Sequence, residues 1–208
     1  MRAKTITIDP DAVDANGIYT IAVVEGAGAL TLAGALVTGT VATMDYARRI
    51  GILSSGNDAG ITFTIAGTDA DGRALSEAVT GASGGTAESA GYFKTITSIT
   101  ASGAAAANVT IGTVDEFVTN VIPLNHHAAD AHTVSIELVT GTIDFSIVES
   151  FSDMWDSAAF VFTACASALT TITAVAHAAL DPHVTGIRFV CNSYSTGAAV
   201  KMVIIQNG

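Results

Sequence analysis

Two runs within residues 61–113 decide the fold: ITFTIAGTDADGRALSEAVTG at 61–81 and YFKTITSITASGAAAANVTIGT at 92–113. In the first, Ile61, Phe63 and Ile65 alternate with Thr62, Thr64 and Ala66, the period of a half-buried strand. Threonine and β-branched residues suit such a pleated surface. The reversal at Thr68-Asp69-Ala70-Asp71-Gly72 has the Asp and Gly that tolerate positive φ in a tight turn. The chain then runs back through Leu75, Glu77 and Val79. Gly81 to Gly85 reads as a second turn leading to Phe93–Thr100, and Ala107–Thr113 reads as another strand. The pattern predicts a β-meander of the kind found in sandwiches and barrels.

Outward from this stretch, the whole chain has a β character. Half of its 208 residues are apolar and only 13% are charged, which excludes a disordered chain. Its length allows two β domains of ordinary size. The net charge is −11, from 19 acidic and 8 basic residues, with no basic run. Neutralising phosphates requires clustered Lys and Arg, so direct nucleic-acid binding is not expected. Cys165 and Cys191 are too few for a disulfide scaffold and read as small buried hydrophobes of a chain folded in the cytoplasm. Thr5–Asp11 is not the apolar core of a secretory leader, and no uninterrupted apolar run is long enough for a membrane span.

Thr5–Ile8 alternates and is expected as an edge or exchanged strand, ended by Asp9-Pro10-Asp11. Tyr19–Val24 reads as a strand. GAGALTLAGALVTG at 26–39 lacks a helical stripe and carries glycines that oppose a helix, so Ala29–Ala33 is expected to be extended. It also lacks the Lys and Ser/Thr of a phosphate loop. Of Arg48 and Arg49, one is expected to face solvent or pair with a carboxylate, with Ile50 and Ile52 in the core. Ser54–Asp58 reads as a turn. Thr119–Thr133, interrupted by Pro123, is expected to be a linker. In the second half, Val134, Ile136 and Leu138, then Ile143, Phe145 and Ile147, alternate around Gly141 and predict a hairpin. Phe160 with Phe162, and Ile187 with Phe189 and Cys191, share strand faces. Asn192–Gly197 reads as a turn, and Ala199–Gln206 as the last strand.

Candidate chemistry is sparse. Asp9, Asp11 and Asp14 lack the donor number of a calcium loop. His126, His127, Asp130 and His132 are residue types that bind transition metals. Without a rigid frame and supporting contacts, the loop from His126 to His132 is expected to hold none. No G-x-S-x-G turn occurs. Asp69 and Asp71 are explained by their turn, and Trp155 is expected in a core or interface.

Four segments carry a resemblance: GNDAGITFT at 56–64, GTDADGRALSE at 67–77, GYFKTITSIT at 91–100 and NVTIGT at 108–113. In this order they resemble segments of structural proteins of tailed-bacteriophage virions, over roughly Leu30 to Asp115. IRFVCNSYSTGAAVKMVIIQ at 187–206 is similar to small β-sandwich modules of phage particles. The resemblance implies a particle component without catalytic residues. The expectation is therefore an all-β chain of two small β-sandwich or jelly-roll-like domains, residues 1–122 and 123–208. No catalytic, cofactor-binding or metal residues are assigned. The expected role is a capsid decoration or cement protein that stabilises the head exterior, made in the host cytoplasm. Its expected partners are the major capsid protein and its own copies in a homotrimer, with no nucleic acid and no membrane. A neck, tail or fibre component and a carbohydrate-binding adhesin are the alternatives.

Overall fold

The computed structural model describes residues 2–125, 132–152, 160–165, 169, 173–180 and 183–206. The protein is all-β, as expected; the described residues contain strands and no helix. They form two compact units, but not at the expected boundary of 122/123. One unit is residues 13–117, and the other joins residues 1–12 to residues 118–208. The first strand, β1 (Arg2–Ile8), belongs to the second of these units and is separated from it in sequence by the whole of the first.

The unit 13–117 contains β2 (Tyr19–Val23), β3 (Gly28–Ala29), β4 (Val37–Thr38), β5 (Val41–Asn57), β6 (Thr62–Thr68), β7 (Ala74–Thr80), β8 (Ser83–Glu88), β9 (Phe93–Ala101) and β10 (Asn108–Val118). The hairpin β6–β7 forms as expected, with Phe63 opposite Val79 and Ile65 opposite Glu77. Phe63 and Ile65 are fully buried while Thr64 is exposed, so the alternation identified the core face correctly. The strand order β5-β9-β6-β7 is not a meander. After β7 the chain crosses to pair β8 with the distal half of β5, then returns as β9 between β5 and β6.

Three local expectations are corrected. Residues 83–85, read as part of the turn Gly81–Gly85, begin a strand that runs to Glu88; SGGTAE has no apolar alternation to betray it. Ser54–Asn57 continues β5 rather than turning. Ala29–Ala33 is extended only at its start, because Ala33 and Gly34 both donate to the carbonyl of Ile18 instead of to a strand neighbour. The core gathers Ile18, Ile50, Ile52, Phe63, Ile65, Phe93, Ile96 and Ile99, among others.

The other unit adds β11 (Ile122–Pro123), β12 (Thr133–Thr140), β13 (Ile143–Ser150), β14 (Phe162–Ala164), β15 (Ala176–Ala179), β16 (Gly186–Tyr194) and β17 (Ala199–Gln206). One sheet runs β1-β17-β12-β15, and the second runs β11-β16-β13-β14. Numbered along this unit alone, the orders are 1-8-3-6 and 2-7-4-5. That is the double Greek key of an eight-stranded jelly roll.

This topology corrects the hairpin expected at Gly141. β12 and β13 do not pair; β12 bonds β17 and β15, whereas β13 bonds β16 and β14. Period-two alternation reports which face is buried, not which strand lies alongside. Gly141 is therefore a corner between sheets, and the residues between β16 and β17 form a second corner beside it. The two are bonded: Ser195 N donates to Thr142 O at 2.8 Å, and Thr142 N donates to Ser195 Oγ at 2.9 Å. A long antiparallel ribbon, residues 133–150 against 186–206, is folded on itself here, so that its two inner faces meet. Val134, Ile136, Phe145, Ile147, Phe189 and Met202 are all buried as a result. Phe145 and Phe189 stack at 4.5 Å, an arrangement worth about 0.5–1.5 kcal/mol beyond burial.

The expected linker is also part of the fold up to residue 125. Thr119 N donates to Phe189 O, Ile122 pairs with Ile187, and Leu124 N donates to Thr185 O. Residues 126–131 lie outside the described residues. β1 is an edge strand, one of the two forms anticipated, and it pairs with β17 of its own chain. The ladder runs from Arg2↔Gln206 to Ile8↔Val200, and Ile8 is fully buried.

The corner gives a direct prediction. Gly141 has φ +69°, and a Cβ there would lie 2.7 Å from Ala198 Cα. Gly141→Ala should destabilise the jelly roll by about 2 kcal/mol or more. Gly26→Ala, at a position with open space and no positive φ, should change stability by less than about 0.5 kcal/mol. Chemical denaturation of both variants, followed by near-ultraviolet dichroism, checks the contrast.

Candidate functional site

The densest arrangement of charge lies in the unit 13–117, on the irregular middle of β5. Between Thr43, opposite Thr95, and Arg48, opposite Phe93, β5 carries extra residues. This bulge turns Asp45 and Arg48 toward each other. The Arg48 guanidinium meets the Asp45 carboxylate through two 2.8 Å hydrogen bonds and lies over the Phe117 ring at 5.7 Å. Tyr46 stacks on the same ring at 4.8 Å. Lys94 Nζ donates to the carbonyls of Met44 and Asp45, bracing the bulge from β9.

Arg49 projects the other way. It donates to Glu116 at 2.7 Å and to Ser89 O at 2.6 Å, and pairs with Glu88 at 3.2 Å. Its pKa is raised above the ordinary arginine value, chiefly by the hydrogen bond to Glu116 and then by the charges of Glu116 and Glu88, against an opposing effect of burial. A raised arginine pKa means that this stabilisation is fully present through neutral pH and is lost only as strong alkali removes the proton. Both arginines thus pair with carboxylates, where the sequence led us to expect one. Their donors converge on the protein's own acids and carbonyls, an arrangement that closes a fold rather than opens a ligand site.

The other candidate groups also have structural roles. Asp69 Oδ1 accepts the amides of Asp71 and Arg73, each at 2.9 Å, which is the turn chemistry expected of it. Asp14 Oδ1 accepts from Asn16 N, and its carbonyl accepts from Gly17 and Thr113. Among the described residues no three His, Cys, Asp or Glu side chains gather as metal ligands. In the expected metal loop, His126, His127 and Asp130 lie outside the described residues. His132 is buried, with Nε2 3.0 Å from Asn125 O. Trp155 also lies outside them. Cys165 and Cys191 are buried and not disulfide-bonded, and Cys165 Sγ donates to Glu149 Oε1 at 2.9 Å.

Asp58 was not singled out from the sequence beyond its turn. It is fully buried, and Oδ1 accepts from Ala106 N at 2.7 Å. Its amide donates to Ala82 O, and its carbonyl accepts from Ile61 N. One residue therefore ties three loops. The Gly-Asn-Asp-x-Gly run was the available signal, but only tertiary contact reveals the role.

What remains open to a partner is surface. Open depressions among the described residues include, in the jelly roll, about 370 Å³ around Asp144 and Tyr194 and about 470 Å³ beside Lys4 and Asn125. In the unit 13–117, about 400 Å³ lies along residues 23–31. The main runs of paired strands end at β1, β15, β14 and β7. Phe151 and Val161 are exposed apolar side chains at the mouth of β13 and β14. Comparison with protein-family models, curated proteins and solved structures found no match.

The two arginines should differ in weight. Arg48 is almost completely buried and Asp45 largely so; Arg48→Met should cost the unit 13–117 about 3–5 kcal/mol, by removing the buried cation that faces the Asp45 carboxylate. Arg49, about a quarter exposed and facing half-open acids, should cost about 1 kcal/mol on replacement by Met. Urea denaturation of the two variants measures the difference.

Proposed function

We propose that this chain is a structural component of a tailed-bacteriophage virion, a decoration or cement protein on the head exterior. It works mechanically and not as an enzyme. It buries surface against the major capsid protein and against its own copies, arranged as a homotrimer on local symmetry axes. Contacts that are individually weak are multiplied by repetition over the shell through effective concentration.

The observation that carries this reading is a jelly roll interrupted by an inserted unit, with segments resembling phage proteins in both. The eight-stranded double Greek key is an architecture of viral capsid domains and of lectins. Of the segments resembling phage proteins, those within residues 30–115 lie in the inserted unit 13–117, and 187–206 lies in the jelly roll. Fold alone does not determine function, and the resemblance supplies the setting. Charge fits the same reading. Arg48, Arg49, Lys94 and Lys201 are engaged with the protein's own acids and carbonyls, and Arg188 lies over Phe162. Little cationic surface is left for nucleic acid.

The test is binding to pre-formed shells purified without this protein. The expected result is saturable occupancy at symmetry-related positions in electron-microscopy maps, with shells that resist higher temperature. Occupancy confined to the neck, tail or fibres would move the protein to that location. Glycan-array binding without any particle binding would replace the proposal with an adhesin, the other use of this architecture.

A further inference from the structure

We propose that the free edge of β7 pairs with β7 of a second copy of this chain across a twofold axis. The proposal stands on the strand itself and does not rest on the virion reading. β7 ends its sheet and pairs only with β6 among the described residues. Its outer edge therefore presents a row of backbone donors and acceptors, a template for another strand. The ladder with β6 runs without a register shift from Thr62↔Thr80 to Thr68↔Ala74. No bulge twists this edge away.

Natural edges are blunted by shortness, basic side chains, proline or bulges. The three other strands that end the main runs of paired strands are blunted in these ways. β14 has three residues and β15 has four. β1 carries Arg2 and Lys4, and Pro10 follows it closely. β7, ALSEAVT, is seven residues long and has no basic residue and no proline. Its single charge, Glu77, is turned onto the amides of Ala90 and Gly91 at 2.7 and 2.8 Å. Ala74, Ser76, Ala78 and Thr80 are exposed on its outer face, small and uncharged. In a chain of net charge −11, like-charge repulsion opposes self-association over most of the surface; this edge is an uncharged approach.

The occupant follows from self-complementarity. A twofold axis through the strand places one residue opposite its own copy. On Glu77 it would oppose two carboxylates, which is destabilising. On Ser76 it sets Ala74 against Ala78, and on Ala78 it sets Ser76 against Thr80. Both of these registers align small side chains on the outer face and extend the β9-β6-β7 sheet into the neighbour. Such an isologous contact closes after two copies. One strand pair buries less than the roughly 1,200 Å² of a stable interface, so the contact is weak in solution.

Sedimentation velocity over rising concentration should show wild-type protein passing from monomer toward dimer. Ser76→Lys, at an exposed position, should leave the melting temperature unchanged and abolish that rise. Under mild oxidation, Ser76→Cys or Ala78→Cys should form disulfide-linked dimers with itself at least ten times faster than Asn16→Cys, an exposed site elsewhere in the same unit. A wild type that stays monomeric at millimolar concentration overturns the proposal. So does unchanged self-association of Ser76→Lys, or cross-linking of all three cysteine variants at one rate.

Discussion

The jelly roll depends on one place where a ribbon of two strands changes sheet. At Gly141, and beside it at Ser195–Ala198, the backbones approach so closely that no side chain fits between them. Three hydrogen bonds between Thr142 and Ser195 hold the paired corners. Every later feature of the unit follows from this fold in the ribbon. It brings the inner faces of β12 and β17 over those of β13 and β16, and so assembles the buried set of Ile136, Phe145, Ile147, Phe189 and Met202. A strand pair alone could not bury these side chains, because each sheet has only one apolar face to offer.

The second consequence concerns chain order. The folded ribbon leaves β17 with an open edge, and the strand that covers it, β1, comes from the far end of the sequence. The first strand thus waits for the last, with the unit 13–117 made in between. Contacts of this separation are slow to form, because loop-closure entropy must be overcome before they contribute. The inserted unit meets its own closure problem locally. Its hairpin β6–β7 forms from adjacent residues, and its single buried Asp58 ties loops that begin at residues 58, 81 and 105. Arg48 and Asp45 then fix the bulge that lets β5 serve two neighbours along its length.

Strand content was legible wherever one face is buried and the other wet. Phe63, Ile65, Val134, Ile136, Phe145 and Phe189 were read onto core faces from alternation alone, and all are buried. Partner choice was not legible, because alternation is identical in a hairpin and in a corner; Gly141 marks both equally well. β8 escaped notice because Gly, Thr and Ala carry no period. The domain boundary was misplaced for a related reason: nothing in Thr5–Ile8 says that its ladder lies at residues 200–203. Of the candidate site, the turn role of Asp69 was readable from its spacing to Gly72. The closed pairing of Arg48 and Arg49, which removes them as ligands, depends on Asp45, Glu88 and Glu116 and is a tertiary fact.

β1 is an integral strand of a jelly roll interrupted by residues 13–117. Native-state hydrogen exchange of the whole protein tests it most directly. The amides of β1 bonded to β17 should open with the same free energy and denaturant dependence as those of β12 and β17, and independently of β6 and β9. Exchange of β1 amides at the rate of a frayed tail, or in step with the unit 13–117, would contradict it.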